Sequence, residues 1–264
     1  MNLPAITKKQ QELLRLIYRY RFLQRNQLQA FMHHKDKKRS SSWLKDLRDK
    51  QYLSWLYAPD DPIEKTKPAV YYMGINGIRF LRALNEYPPE ELRKRYKEAT
   101  RQQPFIDRCL LLANCCLNLE ANSKGNKHYS YMTESDYVNP ESDYNFISEL
   151  KPHLCFEKTV ANQTTNYLLE VFDNSLPRYR VKKRLKDYVD YLNSGEWEYE
   201  MGSQLPIVLL ICPATAELIY VKRRIRTLSE EGQIDEDMHI RVATVEQVKR
   251  QGVTAKIWEE VDSP

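Results

Sequence analysis

Glycine is scarce in this chain, 7 among 264 residues, and none of it forms a phosphate-cradling run. Gly-rich loops let a backbone approach phosphates unhindered, so their absence removes P-loop NTPases and dinucleotide-binding dehydrogenases from consideration. No Ser/His/Asp arrangement suggests a hydrolase. Cysteine is limited to Cys109, Cys115, Cys116, Cys155 and Cys212, an odd set without CxxC or His/Cys ligand spacing, so neither a disulfide framework nor a structural zinc site is expected. The first three lie in an apolar helical run and read as small buried hydrophobes. Long apolar stretches are missing too. The longest, Leu205 to Cys212 around Pro206, is far too short to span a bilayer, and the first residues have no signal core. The expectation is a protein of the reducing cytosol, without a membrane partner.

What is present is a fold-forming composition, 42% hydrophobic and 29% charged, without a low-complexity tract. Charge is unevenly placed. Residues 1–103 hold 22 Lys and Arg against 11 Asp and Glu, and the remainder holds 19 against 25, so a basic front half and an acidic back half lie behind the net +5. A polyanionic partner for the front half follows, with double-stranded DNA the obvious one.

The stretch KKRSSSWLKDLRDKQYLSWLY, Lys37 to Tyr57, organises that front half. On a helical wheel Trp43, Leu44 and Leu47 share one side, while Lys38, Ser41, Ser42 and Lys45 take the other, with Asp49 among them and Arg48 at the margin. The hydroxyls of Ser40, Ser41 and Ser42 sit near the helix start, where free N–H groups suit a phosphate or base edge. Two helices precede it: one from about 7 to 20 with Thr7 as N-cap and Leu13, Leu14, Ile17 and Tyr20 in register, and one from about 24 to 32. Strands at Tyr52–Tyr57 and Ala69–Met73 follow, flanking a polar loop in which Lys65 and Lys67 can reach phosphates, and a helix at Asn76–Leu84 closes the unit.

This order resembles winged-helix DNA-binding domains, the likeness resting on LKDLRDKQYL, VYYM and GIRFL. The resemblance implies Lys38, Arg39, Ser41, Ser42, Lys45, Arg48, Lys65 and Lys67 as DNA contacts, and a dimer on paired half-sites is a common arrangement for such a domain. The charged helical stretch from Pro88 to Gln103 reads as a connector. The expected domains are thus 1–87, a connector at 88–104, and 105–264.

Beyond the connector comes an apolar helix, FIDRCLLLANCCLNLE. Strands at 129–132, 154–158 and 167–173 follow, the last two separated by a turn at 161–166. A helix at 177–192, a strand at 205–212, a helix at 214–228 and a strand at 239–242 complete the chain. The fold class is α/β (α+β), and the second domain resembles the restriction-endonuclease-like fold with its central mixed sheet. That fold's motif sets a Pro-Asp at one strand and an acid-x-Lys triplet in the next around a divalent metal, where carboxylates hold the cation and the ammonium orients water. Here the matching positions are Pro152-His153 and Glu170-Val171-Phe172. The first acid has become His and the Lys has become Phe.

Glu149, Glu157 or Asp173 are candidate replacement acids and Lys182 a candidate replacement ammonium; otherwise Glu170 and Asp173 are remnants. The helix after Pro177 also carries Arg178, Lys182 and Arg184 beside its apolar face, able to extend a DNA path. LLEVFDNSLPRYRVKKRLKDY gives the whole chain a resemblance to the replication-relaxation family of bacterial plasmids and mobile elements. That resemblance implies a role in replication control, DNA relaxation, mobilisation or transcriptional regulation. Three readings stay open: a DNA binder with an inert nuclease-like domain and no cofactor; a docking module for replication or transfer proteins; and a nuclease needing Mg²⁺.

Overall fold

The computed structural model describes residues 3–57 and 68–261. They divide into two compact units, Met1–Ala113 and Asn114–Pro264.

The first unit opens on α1 (Lys8–Tyr20). The Thr7 hydroxyl accepts the Gln10 N–H at 3.3 Å and the Gln10 side chain accepts the Thr7 N–H at 2.9 Å, a reciprocal cap that satisfies N–H groups the first turn leaves without partners. Leu13, Leu14 and Ile17 are buried on one face. β1 (Leu23–Gln24), α2 (Arg25–Phe31), α3 (Lys37–Asp49), β2 (Leu53–Leu56) and β3 (Val70–Met73) follow, then α4 (Ile75–Leu84) and α5 (Pro89–Arg95). The three strands form an antiparallel sheet in the order β1-β3-β2, with Leu53 opposite Met73 and Leu23 opposite Tyr71. Residues 58–67, with Lys65 and Lys67, lie outside the described residues.

Gly77 shows why GIRFL begins with glycine. A Cβ there would stand 2.4 Å from the Tyr52 carbonyl oxygen, so α4 can lie this close to the start of β2 only with no side chain at that position.

α6 (Gln103–Asn122) is the long apolar helix, and the division between the units falls within it. Ile106 and Cys109 join Phe22 in a small core of the first unit, while Cys115, Cys116 and Leu119 are buried in the second. All five cysteines are free and buried, Cys109, Cys115 and Cys116 as their apolar context implied. Burial pushes the Cys109 and Cys115 thiols up to about 12, which keeps them from acting as nucleophiles.

The second unit continues with β4 (Lys127–Thr133), α7 (Glu134–Tyr137), β5 (Leu154–Val160), β6 (Gln163–Val171), α8 (Arg178–Leu192) and α9 (Glu196–Met201). It ends with β7 (Ile207–Cys212), α10 (Thr215–Glu230), β8 (Ile240–Thr244), α11 (Val245–Gln251) and β9 (Glu259–Glu260). A six-stranded mixed sheet runs β4-β5-β6-β7-β8-β9, with β6, β7 and β8 mutually parallel and the remaining pairs antiparallel. The helix, three strands, helix, strand, helix, strand order read from the sequence is therefore present. Short α7, α9, α11 and β9 are additions to it.

The turn expected over 161–166 is shorter. Strand pairing continues to Gln163 opposite Val160, leaving Ala161 and Asn162 alone at φ 47° and 69°. Two consecutive left-handed residues make the tight turn whose twist matches an antiparallel pair. The six apolar residues of β7 are all buried, as a central parallel strand covered on both faces must be. Among the described residues, no helix is long and apolar enough to cross a membrane.

Candidate nucleic-acid interface and the Glu170 cluster

α3 is amphipathic in the expected sense. Leu44 and Leu47 are 1% and 0% exposed, while Lys38, Arg39, Ser42 and Lys45 are exposed and Ser41 half-buried. Half-buried Trp43 packs edge-on against His34, with ring centroids 4.9 Å apart. Arg48 lies over the Trp55 ring at 4.0 Å, so the β2 aromatic orients that guanidinium.

Two readings of this helix are corrected. Ser40 is 4% exposed and turned inward, its hydroxyl donating to the Asp36 carbonyl, so it presents nothing to a ligand. The helix start is also not a vacant anion site. The Asp36 carboxylate accepts the Lys38 N–H at 2.8 Å, putting a negative charge where a phosphate would have to sit. The basic face, not the helix end, is what α3 offers. Ser41 bonds back to the Lys37 carbonyl at 2.9 Å, typical of a helical serine.

In the second unit the two motif positions do come together. His153 precedes β5 and Glu170 stands near the end of β6, with His153 Nδ1 3.4 Å from Glu170 Oε1. The same Nδ1 accepts the Val171 N–H at 3.0 Å. A nitrogen accepting an amide hydrogen carries no proton, so we read the 3.4 Å approach as packing rather than as an ion pair.

The charge on Glu170 is met instead by α8. Arg184 donates to Oε2 at 2.8 Å and Tyr188, one turn later, donates to the same oxygen at 2.8 Å. Arg184 also donates to the Lys151 carbonyl at 2.8 Å and to that of Leu150, so one guanidinium ties together the approach to β5, β6 and α8. Burial alone would push the Glu170 carboxyl up. The Arg184 charge, with the hydrogen bonds from Arg184 and Tyr188 and the adjacent His153 imidazole, outweighs it and holds the carboxyl below the usual range. With His153 Nδ1 unprotonated, Arg184 is the decisive charge. Burial and the Glu170 charge together push the Tyr188 phenol well up.

These residues do not fit a divalent cation. Magnesium requires several oxygen ligands in near-octahedral array, whereas Glu170 commits one oxygen to a guanidinium and a phenol and meets an imidazole nitrogen at the other. None of the candidate replacement acids is placed beside Glu170. Asp173 accepts the Ser175 N–H at 2.9 Å in a turn, Glu157 accepts from Tyr144 and from Ser130, and Glu149 is exposed. Among the described residues no group of three or more His, Cys, Asp and Glu side chains could hold a metal.

The expected replacement ammonium is likewise corrected. Lys182 is exposed on α8, and the cation reaching Glu170 is Arg184, which is thereby withdrawn from the DNA path proposed for it. The available signal was the four-residue spacing of Arg184 and Tyr188, which puts both on the helix face toward the sheet. Phe172 is buried in the core shared with Leu185 and Tyr188, so it packs rather than displacing a ligand. Arg178 remains exposed, its guanidinium 5.1 Å from the Tyr220 ring. Lys186 is paired with Asp190 at 2.8 Å.

A family model described as replication-relaxation matches residues 14–204. No curated protein matches the chain. Among solved structures, the restriction endonuclease FokI aligns over 94% of this chain at 13% identity with a TM-score of 0.32. The chain spans 45% of that enzyme's length, and a likeness at that TM-score carries no weight for activity.

Proposed function

The chain belongs to the replication-relaxation family, and we propose that it is a DNA-binding protein of a bacterial plasmid or other mobile element, acting in replication control, relaxation or mobilisation. In this reading the first unit is a winged helix whose α3 enters a groove of duplex DNA. The observation that carries it is the division of α3 into a buried Leu44/Leu47 face and an exposed Lys38, Arg39, Ser42 and Lys45 face. Support comes also from the order α1, β1, α2, α3, β2, β3 with the sheet order β1-β3-β2, the arrangement a helix-turn-helix needs to back a recognition helix with a wing.

For the second unit the reading is non-catalytic. Glu170, Arg184 and Tyr188 form a buried electrostatic tie that holds α8 against β6, at the place where a nuclease of this fold would hold its metal. Exposed Arg178 and Lys182 on α8 add backbone contacts.

Titration of a random-sequence duplex by fluorescence anisotropy tests the binding. Phosphate contacts release counterions, so log affinity should fall linearly with log salt, by roughly 0.9 per contact. Affinity unchanged between about 50 and 200 mM salt would contradict DNA binding and favour a protein-docking role.

A further inference from the structure

Side chains alternate along β6, so Tyr167 and Leu169 face away from the side that carries Glu170. On that opposite face the second unit holds a cavity of about 450 Å³, within the roughly 300–1,000 Å³ range of small-molecule sites. It owes nothing to the cluster around Glu170.

The floor is aromatic. Phe156 and Tyr167, cross-strand neighbours on β5 and β6, stack with centroids 4.6 Å apart and planes 8° from parallel. One wall is the segment from Val253 to Trp258, held from two sides. Asn118 Oδ1 accepts the Thr254 N–H at 3.1 Å and its hydroxyl at 3.0 Å, and the Trp258 indole donates to the Val253 carbonyl at 2.9 Å. The indole is thus fixed before any ligand arrives.

Three of the four charged side chains in the lining are basic, Glu260 being the exception. Lys158 and Lys256 line the cavity without an ion pair among the described residues, whereas Arg241 is neutralised by Glu260. Tyr129 and Tyr167 line it too, and neither hydroxyl has a hydrogen-bond partner among the described residues. Aromatic rings beside two ammonium groups without ion pairs and two tyrosines are the complement of a planar, hydrogen-bonding ring that carries an anion.

We propose that this cavity is a nucleotide site, taking one unpaired nucleotide with its base against the aromatic floor and its phosphate between Lys158 and Lys256. The nucleotide comes either free or as the unpaired end of a DNA strand, and the shared chemistry is a base with its 5′-phosphate. The proposal goes beyond duplex binding and does not depend on α3.

Calorimetric titration of the full chain with 2′-deoxyadenosine 5′-monophosphate, inorganic phosphate and a 5′-phosphorylated oligodeoxyadenylate tests it. The nucleotide should bind more tightly than phosphate, and a Lys158→Met/Lys256→Met variant, altering two side chains at the cavity's edge, should bind at least about tenfold more weakly while melting as the parent does. Binding of the free nucleotide marks a free ligand. Binding of the oligonucleotide alone, with the same loss in the variant, marks a strand end. The assignment is overturned if neither binds, if phosphate binds as tightly as the nucleotide, if the double variant matches the parent, or if Arg226→Ala, a basic change on α10 outside the cavity, costs as much.

Discussion

Arg184→Met is expected to lower the unfolding free energy by about 3–5 kcal/mol, because removing one partner leaves a buried carboxylate without its countercharge. Glu170 is 5% exposed, and the lost guanidinium also abandons the Leu150 and Lys151 carbonyls. Urea unfolding near pH 7 measures the loss. A change below about 1 kcal/mol, the size seen for exposed pairs, would show that water screens this one. The double variant Glu170→Gln/Arg184→Met should be less destabilised than the two single changes added together, since no orphaned charge remains.

Acid gives an independent reading of the same pair. The folded Glu170 carboxyl is held below its ordinary value of 4.5, so the stability it contributes is present above that value and disappears as pH falls through the lower folded one. The parent should therefore lose more stability on acidification below about pH 4.5 than Glu170→Gln, which has no proton to take up at that position.

The second large effect is on DNA. Changing Lys38, Arg39 and Lys45 together to alanine should reduce affinity for a random duplex about a hundredfold or more at ~0.1 M salt, and make the salt slope shallower by roughly 2.7, the contribution of three phosphate contacts. All three side chains are exposed, so the variant should melt where the parent does. A loss of similar size across unrelated duplex sequences is expected for phosphate contacts. A loss confined to one sequence would mean that these side chains read bases.

The parts of the fold legible in the sequence are those set by neighbours along the chain. The start of α1 was readable from Thr7 and its apolar stripe, and α3 from Leu44 and Leu47, because caps and helical faces are decided within a turn or two. β7 stood out as a short apolar run, since a strand covered on both faces has no alternation to hide it. The misreadings concern partners brought in from outside the segment or turns too short to announce themselves. Ala161-Asn162 lacks the usual glycine of a two-residue hairpin, so the turn was spread over six residues. Ser40 looked available because its inward rotation depends on packing around α3.

The Glu170 cluster was half legible. Both motif positions are readable and do lie side by side, whereas Lys182, the candidate replacement ammonium, does not reach them. Only the packing of α8 against the sheet decides which basic side chain turns inward, and it selects Arg184, which shares its face with Tyr188. In a run as basic as RYRVKKRLK, composition cannot make that choice.

Incubating supercoiled plasmid with the purified protein, with and without Mg²⁺ and Mn²⁺, and running each sample both native and after deproteinisation, bears most directly on whether the protein holds DNA without cutting it. The account predicts retarded migration in the native lanes and intact supercoils after deproteinisation under every condition. Nicked or linear plasmid that appears only with metal, and disappears in Glu170→Ala, would contradict it.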